Sequence, residues 1–370
     1  MKHSQILAIA LLMVVLVSCN NTTGPTDPLK IPDVYASTSW QTNAAVELQQ
    51  LSDVGELVDA LEAGRAQGVV IDRAAVAAEL AKLAPFLSAA SFSEVSNYIN
   101  LAIESSGNMY DAMQAHTMST KGGVYGRYLF NKNGLDATEL VEKYLFGSLM
   151  YMQATTALNA TTISPNNVDK ALACFGATPE FKNTDKALTN HDRFCAAYAA
   201  RRDKADGQGM YTQLKKKFIT ALTAAKAGAN YNDDYYSAIA DIRQLWERSQ
   251  MASCIHYCYA TISGLSATNI SDSSRSSAMH AFGEAAGFVV GWKSVPATMR
   301  IISDADLNEV LGLLQMPVGG VSNCQNVWQL PVTVLPQIEF ATKKLQTVYG
   351  FSDAEMLDFR QNWVNVQGRQ

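Results

Sequence analysis

"DDYYSAIADIRQLWERSQMASCIHYCYATI", residues 233–262, repeats apolar side chains at threes and fours from end to end. At 100° per residue, Ile242, Leu245, Ser249, Ala252, His256 and Tyr259 fall on one face. A helix of this length must bury that stripe against other helices, so the stretch sets the fold class. Glu247 lies nine residues before His256, on the opposite face, so the two cannot be partners on this helix. His256 itself reads as a core histidine whose hydrogen bonds are met within the bundle.

The next helix outward is "SSAMHAFGEAAGFVVGWK", residues 276–293. Ala278, Phe282, Ala285, Val289 and Trp292 make one apolar stripe. His280, Glu284, Gly287 and Gly291 make the other side, with Gly283 at its edge. That second side places two ligand-type side chains above a strip without side chains. Such a strip admits a second helix at close range or leaves a groove for a ligand. His280 and Glu284, four apart, can reach each other or one metal ion; zinc or iron would require a further ligand from another helix, such as His256. The pair lacks the H-E-x-x-H arrangement of metalloproteases, and a structural His–Glu contact between packed helices is the competing reading.

Helical period continues through most of the remaining chain. It covers "AAVELQQLSDVGELVDALEAG" and "DRAAVAAELAKLAPFL", the second interrupted at Pro85. "SFSEVSNYINLAIESS" opens with a capping-box pattern at Ser91 and Glu94. Residues 134–158 predict one long buried helix, holding a Glu139–Lys143 pair in the favourable order. Ser164 and Pro165 predict a helix start, Gly176 a stop and Ser303 a cap. Residues 177–190 read as a loop, and further helices follow at "DRFCAAYAARR" and "MYTQLKKKFITALTAAKAG". "PQIEFATKKLQTVYG" and "SDAEMLDFRQNWV" predict the last two. No stretch alternates convincingly as a strand; "GVVI" near 68 comes nearest, and "GGVYG" at 122–126 reads as a turn. The expectation is an all-α protein of roughly ten helices packed as one or two bundles. If two, they would divide near residues 165–205.

At the N-terminus, Lys2 and His3 precede an apolar run that ends in Leu16-Val17-Ser18-Cys19, followed by "NNTTGPTD". This predicts a lipoprotein signal peptide over residues 1–18 and a lipidated Cys19 as the first mature residue. Residues 19–40 predict a flexible tether and residues 41–370 the folded body. Several acyl chains on Cys19 would fix the protein to a membrane. The expected site is an outer membrane, facing the periplasm. The net charge of −5 and a single dense basic run, "KKK" at 215–217, argue against nucleic-acid binding.

With Cys19 lipidated, five cysteines remain, an odd number that cannot all pair. Buried free thiols are expected, with Cys174–Cys195 the conceivable bridge. His116 and His191 read as surface residues. G-x-S-x-G, a Walker loop and a strand-linked G-x-G-x-x-G are all missing, so nucleophilic catalysis and nucleotide binding have no support.

Four blocks in order, "NGLDATELVEKYLFGSLMY", "VDKALACFG", "LWERSQMASCIHY" and "HAFGEAAGFVVGWK", resemble an uncharacterised lipoprotein family, domain-of-unknown-function family 4856. That family is similar to the imelysin-like proteins, helical-bundle proteins of the envelope linked to iron or haem acquisition and to peptidase activity. The resemblance covers roughly residues 110–330. It departs at Val168-Asp169-Lys170-Ala171, where an acidic pattern would carry a second acid in place of Lys170. It departs also at Ala278–Glu284, which has Ala278 for the glycine of an imelysin G-x-H-x-x-E motif and one extra residue. A peptidase site is therefore not carried over. The lipobox and a helical body without a convincing catalytic set point to an envelope lipoprotein acting as a binding or accessory module, with a role in iron, haem or nutrient acquisition as the resemblance implies, and with zinc a further candidate cofactor for the His280–Glu284 pair. The alternatives are a metal-dependent hydrolase on His280 and Glu284, and a structural partner of an outer-membrane complex.

Overall fold

The computed structural model describes residues 27–110, 121–187, 189–320 and 322–369. The signal peptide, Cys19, His3 and His116 lie outside the described residues. In chain order the helices are α1 (Trp40–Asn43), α2 (Ala45–Glu62), α3 (Arg73–Leu83) and α4 (Ala89–Ser105). A hairpin of β1 (Gly122–Tyr125) and β2 (Tyr128–Asn131) follows. Then come α5 (Ala137–Tyr144), α6 (Met150–Leu158), α7 (Pro165–Phe175), α8 (Phe194–Arg201) and α9 (Met210–Ala227). The remainder are α10 (Asn232–Leu265), α11 (Asp272–Val290), α12 (Asp304–Leu313), α13 (Gln325–Gln329), α14 (Pro331–Tyr349), α15 (Asp353–Asp358) and α16 (Trp363–Val366). The protein is 67% helical, with one two-stranded sheet among the described residues, so the all-α expectation holds.

The long stretch that decided the class is α10, and it packs most extensively against α9 and α11, with α8 and α14 also on it. Helix α11 in turn packs against α5. One hydrophobic cluster runs from Tyr35 to Val364, and α5 packs on α11 across the expected dividing point. The core therefore shows no break near 165–205. Part of the stretch expected as a tether, residues 35–40, is held to the body. Tyr35 is buried, and the Tyr35 hydroxyl, the Ser37 hydroxyl and the Asn43 amide all donate to Asp169 on α7, at 2.7, 2.8 and 2.7 Å. Asp169 thus clasps the chain onto the body well before residue 40.

Local signals placed several boundaries. Ser164 caps α7 through the Asn167 N–H, Gly176 closes it at φ 92°, and Ser303 caps α12. Others need correction. The cap of α4 is Ser88, accepting from the Ser91 N–H, while Glu94 accepts from the Tyr98 hydroxyl. Helix α14 starts at Pro331 and carries Pro336 inside it. The last predicted helix is broken into α15 and α16. The long helix expected over 134–158 is α5 and α6 joined by a π-helical turn, Leu145–Leu149. "GVVI" is not a strand, whereas "GGVYG" begins one. The β1–β2 hairpin escaped pattern reading because nearly all its residues are buried on both faces, which removes the alternation. All five described cysteines are free and buried, so Cys174 and Cys195 do not pair; the Cys195 thiol donates to the Phe146 carbonyl instead. No described helix is long and apolar enough to cross a membrane.

Candidate metal centre

The glycine strip of α11 is filled by α5. A Cβ on Gly283 would lie 3.0 Å from the Asp136 Cβ, and one on Gly287 would lie 2.8 Å from the Glu139 carbonyl oxygen. One on Gly291 would lie 2.9 Å from the Ser148 Oγ in the π-helical turn. Successive turns of α5 and its continuation thus run against successive glycines of α11 and of the 3-10 turn that follows it. Close backbone approach lets side chains rooted on α5 meet those of α11 at short range. Of the two uses a glycine strip allows, this one is helix packing, and the packing itself assembles a polar cluster.

His280 Nδ1 lies 3.0 Å from Asp136 Oδ2 and 3.7 Å from Glu139 Oε1. One ligand atom from each of Asp136, Glu139 and His280 falls within 4.8 Å of the other two. Asp136 is fully buried at the N-terminal boundary of α5, and its side chain makes no capping bond there. Its second oxygen, Oδ1, is buried without a hydrogen-bond partner. Tyr128, from β2, stacks on the His280 ring at 3.9 Å between centroids and 10° between planes, so the hairpin walls the centre on one side. Gly126, at φ 61°, allows the tight turn that delivers Tyr128.

Charges crowd around these three residues. Lys143, 1% exposed, contacts Glu139, Glu142 and Glu284, the last at 3.2 Å. Arg65, just past α2, contacts Glu62, Glu139 and Asp136. Five carboxylates, Glu62, Asp136, Glu139, Glu142 and Glu284, therefore meet two permanent cations and one histidine. The excess of acid shows in the titration of the groups. Burial pushes Glu139 up, but Lys143, His280 and Arg65 outweigh it and hold Glu139 well below the usual carboxylate range. Burial pushes Glu142 up to about 7, against the pull of Lys143. Burial works to lower His280, yet Glu139 and Asp136 win and raise it.

The residues singled out in the sequence separate here. His280 belongs to the centre. Glu284 accepts from the Tyr198 hydroxyl at 3.1 Å and pairs with Lys143, so it is a neighbour of the centre rather than a member of the converging set. His256 does not supply the further ligand. Its Nδ1–H donates to the Phe359 carbonyl at 2.8 Å, and burial together with Arg202 lowers it to about 3, leaving a neutral, half-buried histidine beside a surface groove. His191 is exposed, as expected. The Glu139–Lys143 pair forms as its spacing predicts, and three carboxylates around Lys143 meet the cost of burying it. Sequence reading missed Asp136 and Arg65. Asp136 offered one signal, an acid three residues before Glu139 at a helix start, a pattern that also describes a cap. No protein-family model matches the chain, and no curated protein or solved structure is significantly similar to it.

Proposed function

We propose that this protein is a non-enzymatic binding module of the cell envelope whose working centre is a divalent-cation site formed by Asp136, Glu139 and His280. The observation that carries the reading is Asp136 Oδ1, a fully buried carboxylate oxygen without a partner, beside a second carboxylate and an imidazole nitrogen within reach of one ion. An unpartnered buried acceptor of this kind costs about 1–3 kcal/mol, and a cation held by both oxygens of Asp136, Oδ1 as well as the Oδ2 that faces His280, would offset it. One nitrogen and two carboxylate donors with no thiolate suit zinc, ferrous iron or manganese. Iron or zinc fits better than haem, because backbone contact at Gly287 closes the α5–α11 seam.

Membership of the lipoprotein family that the four blocks resemble is part of the same proposal. So are membrane attachment through a lipidated Cys19 and an outer-membrane, periplasm-facing location. They are supported by the lipobox sequence. Hydrolysis is the weaker reading. Glu284, which would serve it, is committed to Lys143 and Tyr198, and two surface grooves of about 490 and 460 Å³ are lined by neither Glu284 nor His280.

The test is metal content. The full chain, loaded in turn with zinc, manganese and ferrous iron and then desalted, is expected to retain close to one equivalent of at least one ion. Asp136→Asn and His280→Gln are expected to lose it while melting as folded proteins, and the retained ion should raise the melting temperature of the parent. Retention of none of the three ions by the folded parent would end the reading.

A further inference from the structure

The Arg65 guanidinium already reaches the two carboxylates that a cation at this centre would use. Its Nη2 donates to Glu139 Oε1 and lies 3.4 Å from Asp136 Oδ2. Those are the two oxygens nearest His280 Nδ1. The fit is incomplete on both sides: Arg65 Nε is buried without a partner, as is Asp136 Oδ1. Arg65 also holds an outward alternative. Its Nη1 pairs with Glu62, whose side chain is 40% exposed, and the guanidinium lies 5.6 Å from the centroid of the Tyr128 ring. It stands on a short 3-10 turn, Ala63–Arg65, and residues 66–70 that follow are exposed, with Gly68 at φ 77°. The chain that follows Arg65 is therefore at the surface, while Gly64 before it and the oxygens it holds are inside.

We propose that Arg65 is a built-in competitor for the divalent cation, so that guanidinium and metal ion are alternative occupants of Asp136 Oδ2 and Glu139 Oε1. Entry of the ion moves Nη2 outward, with Glu62 and the face of Tyr128 receiving the guanidinium. The arrangement makes the affinity of the centre depend on the exposed stretch 66–70 next to Arg65, so anything that pulls that stretch outward loads the site. This inference rests on the cation reading given above.

The experiment is a competition titration of zinc, and separately of manganese, against a chromophoric chelator, using the full chain. Arg65→Gln removes the competitor and its charge, and is expected to tighten binding about tenfold or more. Arg65→Lys keeps the charge but loses the planar two-donor fork, and is expected to tighten binding by about threefold or more. Its value separates local competition from long-range repulsion, because net charge is unchanged. Glu62→Gln removes the outward partner and is expected to weaken binding. Should the parent bind one equivalent while Arg65→Lys binds with equal affinity, the competitor is overturned and the cation site stands. Should neither the parent nor either Arg65 variant bind any ion while all remain folded, both readings fall. If Arg65→Gln does not fold, the lysine variant decides alone.

Discussion

Two buried polar regions lie on either side of α11, and they are finished differently. On the α10 side, the fully buried Glu247 carboxylate accepts from the backbone N–H groups of Ile301 and Ile302 and from the Tyr349 hydroxyl, with distances of 2.6, 2.9 and 2.8 Å. Three donors from two other segments close one acid, and His256 on the same helix is closed by one carbonyl. At the α5–α11 seam, five acids share two permanent cations and a histidine, and one acid oxygen is left open. The Glu247 carboxylate is complete within the protein and ties loop to helix, although the amide of Gln250, buried on the same helix, has no partner. The seam is incomplete in a direction, short of positive charge, and that is what a cation-binding centre requires and a structural ion pair does not.

The largest expected effect comes from the seam's packing. Gly287→Val would drive a branched side chain into the Glu139 carbonyl and the Lys143 stem, a Cβ standing 2.9 Å from the Lys143 Cβ. Helix α5 would have to move, separating a buried lysine from its acids. The expected loss is about 4 kcal/mol by urea unfolding, with the metal lost too. A loss under about 1 kcal/mol would mean that the seam is not close-packed and that the comparison starts from a wrong premise. Glu247→Ala comes next, with about 3 kcal/mol expected, because three donors lose their acceptor in the interior. Metal content should be unchanged in this variant. A loss of metal without a loss of stability would reverse the roles assigned to the two regions.

The sequence carried one half of the seam clearly. Period and spacing placed His280, Glu284 and the three glycines on one face of a helix, and they placed Glu139 and Lys143 together on another. Neither could say that the two faces meet, since Asp136 and His280 are 144 positions apart and periodicity holds no information about contact. The glycine strip announced that some backbone would come close without naming it. Asp136 was hidden for a different reason. Its position before α5 matches a helix cap, the commonplace use of an aspartate there, and only the coordinates show that it makes no capping bond. Tyr128 was hidden because a hairpin of mostly buried residues reads as a turn between helices. The proline at 336 misled in the opposite sense: it sits past the first turn of α14, where the missing N–H and the ring work against a helix, and yet the helix begins before it.

The smallest effect separates the two histidines by pH. His256 is flanked by Arg201 and Arg202, and the groove beside it adds Arg360 and Glu339. Burial and the arginines lower it to about 3, against 6.5 for an ordinary histidine, while the Phe359 carbonyl opposes them. The unfolded chain therefore takes up a proton first as pH falls. Stability from the neutral His256 is complete above pH 6.5 and declines below it, until pH reaches the folded value. Between pH 6.5 and 5 that is about 2 kcal/mol. Urea unfolding at pH 7 and pH 5 should show the parent losing about 2 kcal/mol more than His256→Gln, which cannot titrate but can still donate to Phe359. Equal losses in the two proteins would show that His256 is protonated in the folded state. The α10 side would then no longer be closed within the protein, and the contrast with the open seam at Asp136 would narrow to Glu247 alone.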